Sequence, residues 1–149
     1  MQIRPLCPDD LPHASALCLS AFTQAVAPTL SAEGVTTFSG LATAQAFRER
    51  LRGDNVMLAC VAEDELVGLV ELKEGRHIAM LFVAPAWQRR GVGARLINAA
   101  LTHARTDVVT VKASLNAVAA YQRFGFALAG NTGEFAGLVY QPMERRRHA

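Results

Sequence analysis

Three apolar runs of strand length, Val56 to Ala62, Leu66 to Leu72 and His77 to Val83, follow one another with only short charged breaks. Glu63-Asp64-Glu65 and Glu74-Gly75-Arg76 fill those breaks and read as hairpin turns, so the runs form an antiparallel meander. Pro85 closes the third run, because proline has no amide hydrogen to give a sheet ladder. Whatever else the chain does, it must build a sheet around this block.

The flanking segments supply helices and further strands. Ile3 starts a short apolar stretch, and Pro8-Asp9-Asp10 then reads as a turn in which Asp9 or Asp10 accepts hydrogen bonds from the free amides of a helix. Leu11, Ala14, Leu17, Cys18 and Ala21 recur at helical spacing, which predicts a helix to about Phe22. Thr23 to Gly40 mixes Pro28, Ser31, Gly34 and several threonines, and reads as an irregular loop or a broken helix. A second helix runs from about Ala42 to Leu51 and is ended by Gly53. After the meander, Val92, Leu96, Ile97, Ala100 and Leu101 share one face of a helix from Val92 to Ala104. Val108 to Val111 reads as a strand, Ala117 to Phe124 as a helix stopped by Gly125, and Phe126 to Ala129 and Leu138 to Met143 as two last strands. The expected architecture is a mixed, mostly antiparallel α/β sheet flanked by helices, in one domain spanning residues 1–149.

Bulk properties narrow the function classes. Hydrophobic residues make up 51% of the 149 and charged residues 19%, a profile of a folded globular chain. The formal net charge is +2, from 15 basic against 13 acidic residues, so nothing in the balance asks for a nucleic-acid partner. Arg145-Arg146-Arg147 reads as a solvated tail. Cys7, Cys18 and Cys60 are odd in number and lack the C-x-x-C spacing of redox or zinc sites, which predicts reduced thiols in the core, no bound metal and a cytoplasmic setting. There is no basic segment followed by an apolar leader, and no apolar run approaches the ~20 residues that cross a bilayer, so no membrane association is expected.

The chemistry begins after the third run. Gln88-Arg89-Arg90-Gly91-Val92-Gly93 joins a strand to a helix start. The first helical turn carries unpaired amides and the positive end of the helix dipole, and glycine lets an anion approach the backbone closely. Arg89 and Arg90 add positive charge at the same end. Gly93 is followed by Ala94-Arg95 where a P-loop needs Lys-Ser/Thr, and Leu96 stands where a dinucleotide fingerprint needs its third glycine.

Gln88 to Gly93 matches the Q/R-x-x-G-x-G/A signature of the GNAT (GCN5-related) N-acyltransferases, and the chain resembles that family well beyond those six residues. The strand end Leu81-Phe82-Val83-x-Pro85, the helix opening Ala94-Arg95-Leu96-Ile97, and the downstream set Asn116-Ala117, Tyr121 and Phe124-Gly125-Phe126 are similar to the family as well. The resemblance implies the GNAT acyl-CoA N-acyltransferase fold and acetyl transfer from acetyl-CoA to a primary amine of a small molecule or peptide. It also implies backbone amides near Leu81, Phe82 and Val83 along the pantetheine arm, and the loop from Gln88 and Arg89 through Ala94 around the pyrophosphate. Asn116 would lie near the arm or cap the following helix, and the Tyr121 hydroxyl would protonate the departing thiolate.

The general base is open among His77, which falls where some family members carry a glutamate, and Glu71 on the neighbouring strand. Glu33 would instead meet a cationic acceptor, and Phe22, Thr23 and Phe38 are the other candidates for the acceptor pocket. A catalytically weak acetyl-CoA-binding module is the alternative to an enzyme. The acceptor itself is not written in the sequence, and a homodimer is consistent with what is common among relatives.

Overall fold

In a computed structural model, residues 1–148 are described. Strand β1 (Gln2–Pro5) is followed by helices α1 (Leu11–Ala25), α2 (Ala32–Leu41) and α3 (Ala44–Leu51). Strands β2 (Asn55–Ala62), β3 (Glu65–Lys73) and β4 (His77–Val83) form the expected meander, and α4 (Val92–Leu101) follows. Then come β5 (Val108–Ala113), α5 (Val118–Arg123), β6 (Ala127–Leu128), β7 (Gly133–Phe135) and β8 (Leu138–Arg146). The strands lie in the order β1-β2-β3-β4-β5-β8-β6, with β7 pairing on β8 off that path. Every pairing is antiparallel except β4 with β5. The open, mostly antiparallel sheet with flanking helices is the architecture expected from the sequence.

Each face of the sheet carries its own apolar cluster. On one, Val92, Leu96 and Ile97 of α4 pack with Val70, Leu72, Ile78, Val109, Val111, Tyr121 and Phe126. On the other, Leu11, Cys18 and Phe22 of α1, Phe38 of α2 and Phe47 of α3 pack with Met57, Leu69 and Met80. Burying each large side chain of these sets contributes roughly 1.5–3 kcal/mol, so the strand alternation fixes which residues face which helix layer.

Several expectations are corrected. Of the two readings of segment 23–40, the broken helix holds and the irregular loop does not: α1 continues to Ala25, and α2 starts at Ala32 with the Ser31 hydroxyl accepting from Gly34 N at 3.4 Å. Its small polar residues serve as a cap and as solvent-facing positions, which a composition reading takes for a loop. The Asp10 carboxylate accepts from Cys7 N and from Arg4 at 2.8 and 2.7 Å, not from the free amides of α1. Arg145 and Arg146 complete β8, and Arg145 Nη1 donates to Phe124 O at 2.6 Å while Arg147 Nη1 donates to Ala104 O at 2.8 Å. The basic run is therefore pinned to the fold and is no solvated tail. Cys18 and Cys60 are buried, whereas Cys7 is exposed. Strand β7 was absent from the expected order, since three residues are too few to show alternation.

Candidate active site

Strand β4 leaves its neighbour after its first two residues. Its pairing with β5 is confined to His77 with Thr110 and Ile78 with Val111. Beyond that point, Met80 to Val83 pair with β3 alone, so the sheet opens into a wedge between β4 and β5. A β-bulge sits at the opening: Met80 faces Glu71 and Ile78 faces Leu72, which leaves Ala79 without a partner on β3. Ala79 is also exposed although it lies on an interior strand. A bulge bends its strand and re-aims backbone groups, and here it does so where the two strands part.

The loop after β4 leads from the wedge to a helix N-terminus. A helical turn at Pro85–Trp87 reverses the chain, and Gln88 Nε2 donates back to Val83 O at 3.2 Å. Arg89 has φ 62° and Gly91 has φ 81°, both left-handed. Gly91 is the N-cap of α4, and a Cβ there would meet nothing within 4 Å, so its glycine serves the backbone conformation. Gly93 serves close approach instead, because a Cβ at that position would lie 2.9 Å from Phe124 Cζ. Arg95 N is the first amide to reach a backbone acceptor, Gly91 O at 3.1 Å. Among the described residues, the amides of residues 89–94 have no acceptor, and no side chain caps this end. Arg90 is folded over the Trp87 ring at 4.5 Å. Six free amides, the positive end of α4 and two arginines form a site suited to a doubly charged, phosphate-like anion.

Tyr121 lies on the same face of the sheet as α4. It is buried, with its ring edge-on to Phe124 at 5.9 Å and to Phe126 at 5.5 Å. Phe124 in turn meets Gly93, so one short chain of contacts connects the anion loop to the tyrosine. Its hydroxyl makes no hydrogen bond among the described residues, and burial pushes the phenol well above its usual range. A proton held that firmly stays in place near neutral pH and is available to a strongly basic atom.

His77 lies on the opposite face, one residue before the last paired position. Its Nδ1 is 2.8 Å from Thr110 Oγ1. Burial, and then the nearby charges of Lys112, Arg76 and Lys73, bring its pKa down to about 4, so the ring is neutral at pH 7. Glu71 is elsewhere. Its carboxylate is fully buried beneath α3, accepting from Arg50 Nε at 2.9 Å and Asn55 Nδ2 at 2.8 Å. Burial raises its pKa against the pull of Arg50. Both donors to this carboxylate come from outside β4, so in this structure it is engaged by Arg50 and Asn55. Its position at the end of an apolar run was the only sequence signal, and Arg50, 21 residues earlier, gave no hint of the pairing.

The remaining candidates separate. Phe22 and Phe38 stack at 4.0 Å and Phe38 meets Phe82 at 5.3 Å, all within the apolar cluster under α1 and α2. Glu33 is exposed in the first turn of α2. Asn116 caps no helix; its Nδ2 donates to Ala25 O at 2.7 Å and ties the loop after β5 to the end of α1. Leu81 and Val83 face the α4 cluster, and Phe82 faces the other. The bulge at Ala79 and the pairing of His77 with Thr110 were not legible in the sequence, since both arise from register between distant strands.

Comparisons with known proteins identify the family and the fold. The family model described as the acetyltransferase (GNAT) domain matches residues 26–147. The uncharacterized N-acetyltransferase YafP of Escherichia coli is 28% identical over 126 residues, covering 85% of this chain and 81% of its own length. A GCN5-related N-acetyltransferase from Rhodopseudomonas palustris superposes with a TM-score of 0.86 at 28% identity, covering 97% of this chain and 94% of that one. The PaiA N-acetyltransferase from Thermoplasma acidophilum, solved in complex with coenzyme A, gives a TM-score of 0.81 at 18% identity over 97% and 98% of the two chains, a likeness of fold.

Proposed function

The chain belongs to the GNAT acetyltransferase family, and on that premise we propose that it transfers the acetyl group of acetyl-CoA directly to a primary amine of a small molecule or peptide. The observation that carries this reading is the wedge between β4 and β5 followed by a helix N-terminus whose amides 89–94 have no acceptor among the described residues. The pyrophosphate is held by the amides of residues 89–94, with Arg89 and Arg90 beside them. The pantetheine arm follows the free edge of Leu81, Phe82 and Val83, and the thioester reaches the bulge at Ala79. The coenzyme A complex of the PaiA relative supports the same choice of cosubstrate.

The chemistry then needs few side chains. The amine lone pair forms a bond to the thioester carbon, and backbone amides beside the bulge stabilise the carbonyl oxygen as it gains charge. The carbon–sulfur bond breaks, sulfur keeps the electron pair, and the Tyr121 hydroxyl gives it a proton. The proton released by the amine leaves through water or to neutral His77, two residues from the bulge. Glu71 holds Arg50 and takes no part in proton transfer. Asn116 positions the loop after β5 against α1 rather than touching the arm.

Thiol release from acetyl-CoA, measured against a panel of primary amines, tests the proposal. Amine-dependent coenzyme A release is expected from the wild-type chain. Saturable acetyl-CoA binding with no release for any amine would replace the enzyme by a binding module.

A further inference from the structure

Four strands place a row of polar residues on the face opposite α4. Lys73 pairs with His77, His77 with Thr110, and Thr110 with Glu144. Val109, Val111 and Ala113 fill the α4 face, so alternation turns Thr110 and Lys112 to this one. The row lines a groove of about 420 Å³, whose walls also include Arg76 and Lys112. That volume lies within the range of small-molecule sites.

The charge of the groove is uneven. Lys73, Arg76 and Lys112 stand against Glu144, and Glu74, which pairs with Arg76, is the other acid close by. Lys112 Nζ rests 5.0 Å above the Tyr140 ring, which holds the ammonium beside the groove. Among the described residues, no carboxylate pairs with Lys73 or Lys112. The depressed pKa of His77 reports the same positive field, after the effect of burial. A polycationic amine would be repelled here.

Position gives the groove its purpose. His77 is two residues from the bulge at Ala79, about 7 Å along a strand. The donor loop lies on the α4 face, and the groove opens on the other, with the wedge between them. We propose that the groove binds an anionic group, a carboxylate or a phosphate, carried by the amine acceptor a few ångströms from its nitrogen. This rests on the acetyl-transfer reading above: Lys73, Arg76 and Lys112 hold the anion while the amine points to the wedge.

Matched acceptors test it. An amino acid, its carboxamide and the corresponding aminoalkyl phosphate are compared by kcat/KM in the thiol-release assay, on wild type and on a Lys73→Gln/Lys112→Gln double variant. At least one anionic acceptor is expected to exceed the carboxamide by tenfold or more, with the double variant losing most of that ratio through KM; which anionic acceptor leads distinguishes carboxylate from phosphate. A carboxamide used as well as both anionic acceptors, or a ratio the double variant leaves unchanged, overturns the proposal. Failure of acetyl transfer is separated by binding. The N-acetylated amino acid, the N-acetylated aminoalkyl phosphate and inorganic phosphate are titrated while amide shifts of Thr110 and Lys112 are followed. Shifts from an N-acetylated anion in an inactive protein uphold the groove. No shift from either, or equal affinity for inorganic phosphate alone, refutes an acceptor site.

Discussion

Replacing Glu71 by Gln separates a structural carboxylate from a catalytic one. Glu71 is 0% exposed, and it accepts from Arg50 at 2.9 and 3.2 Å and from Asn55 at 2.8 Å. The variant keeps an acceptor oxygen for one of these donors and removes the charge opposite a guanidinium that also holds Leu41 O at 2.8 Å. Breaking a buried pair by deleting one partner costs roughly 3–5 kcal/mol. Arg50 retains 23% of its side-chain exposure and can recover some hydration, so the lower end applies, about 3 kcal/mol. For a chain of this length that lowers Tm by roughly 6–12 °C. Calorimetry or thermal circular dichroism reads the shift, and thiol release at 20 °C reads the activity of the folded variant. The expected pattern is a large loss of Tm with kcat/KM within about threefold of wild type, which corresponds to less than about 1 kcal/mol of transition-state stabilisation. An unchanged Tm with a hundredfold loss of kcat would instead make Glu71 the base.

Three further outcomes follow from the same geometry. Tyr121→Phe removes the proton donor and is expected to lower kcat by roughly a hundredfold with little change in acetyl-CoA affinity, so equal turnover would remove the role. Gly93→Ala sets a Cβ 2.9 Å from Phe124 Cζ, so the first turn of α4 or the ring must shift; calorimetric titration should show acetyl-CoA binding at least tenfold weaker while the helical signal is retained. His77 has a folded pKa near 4, below its ordinary 6.5, so above pH 6.5 it is neutral in both states and adds nothing to the pH dependence. As pH falls from 6.5 towards 4 the unfolded chain binds the proton first, and stability drops by about 2 kcal/mol once solvent screening of the half-buried ring is allowed for. His77→Gln should flatten that slope in urea melts at pH 7 and pH 4.5, and an equal slope in both proteins would show that other groups cause it.

What was legible in the sequence was what is local. The runs at 56–62, 66–72 and 77–83 became β2, β3 and β4 within a residue or so, because each alternation and each turn lies in neighbouring residues. The loop from Gln88 to Gly93 was also readable, since a helix start and its glycines are adjacent in the chain. Ser31, Gly34 and the threonines of α2 left its segment open between a loop and a broken helix, because their propensities are weak and the packing of Phe38 on Phe22 and Phe82 decides it. The site beyond the loop depends on register: the bulge at Ala79, the parting of β4 from β5, and the row from Lys73 to Glu144 join residues up to 71 positions apart. Glu71 and His77 looked alike as candidates because both sit at strand ends. Only the fold puts one beneath a helix with Arg50 and the other beside the wedge.

In the proposed mode of binding, acetyl-CoA seats its pyrophosphate on the amides that open α4. Amide hydrogen exchange, measured by NMR with and without saturating acetyl-CoA, addresses those groups one at a time. The amides of residues 89–94 have no acceptor among the described residues and should exchange fast in the free protein. Binding is predicted to slow them by at least tenfold, together with amides on the free edge of β4 between Ala79 and Val83. Saturable binding that leaves residues 89–94 exchanging at their free rate would contradict the account.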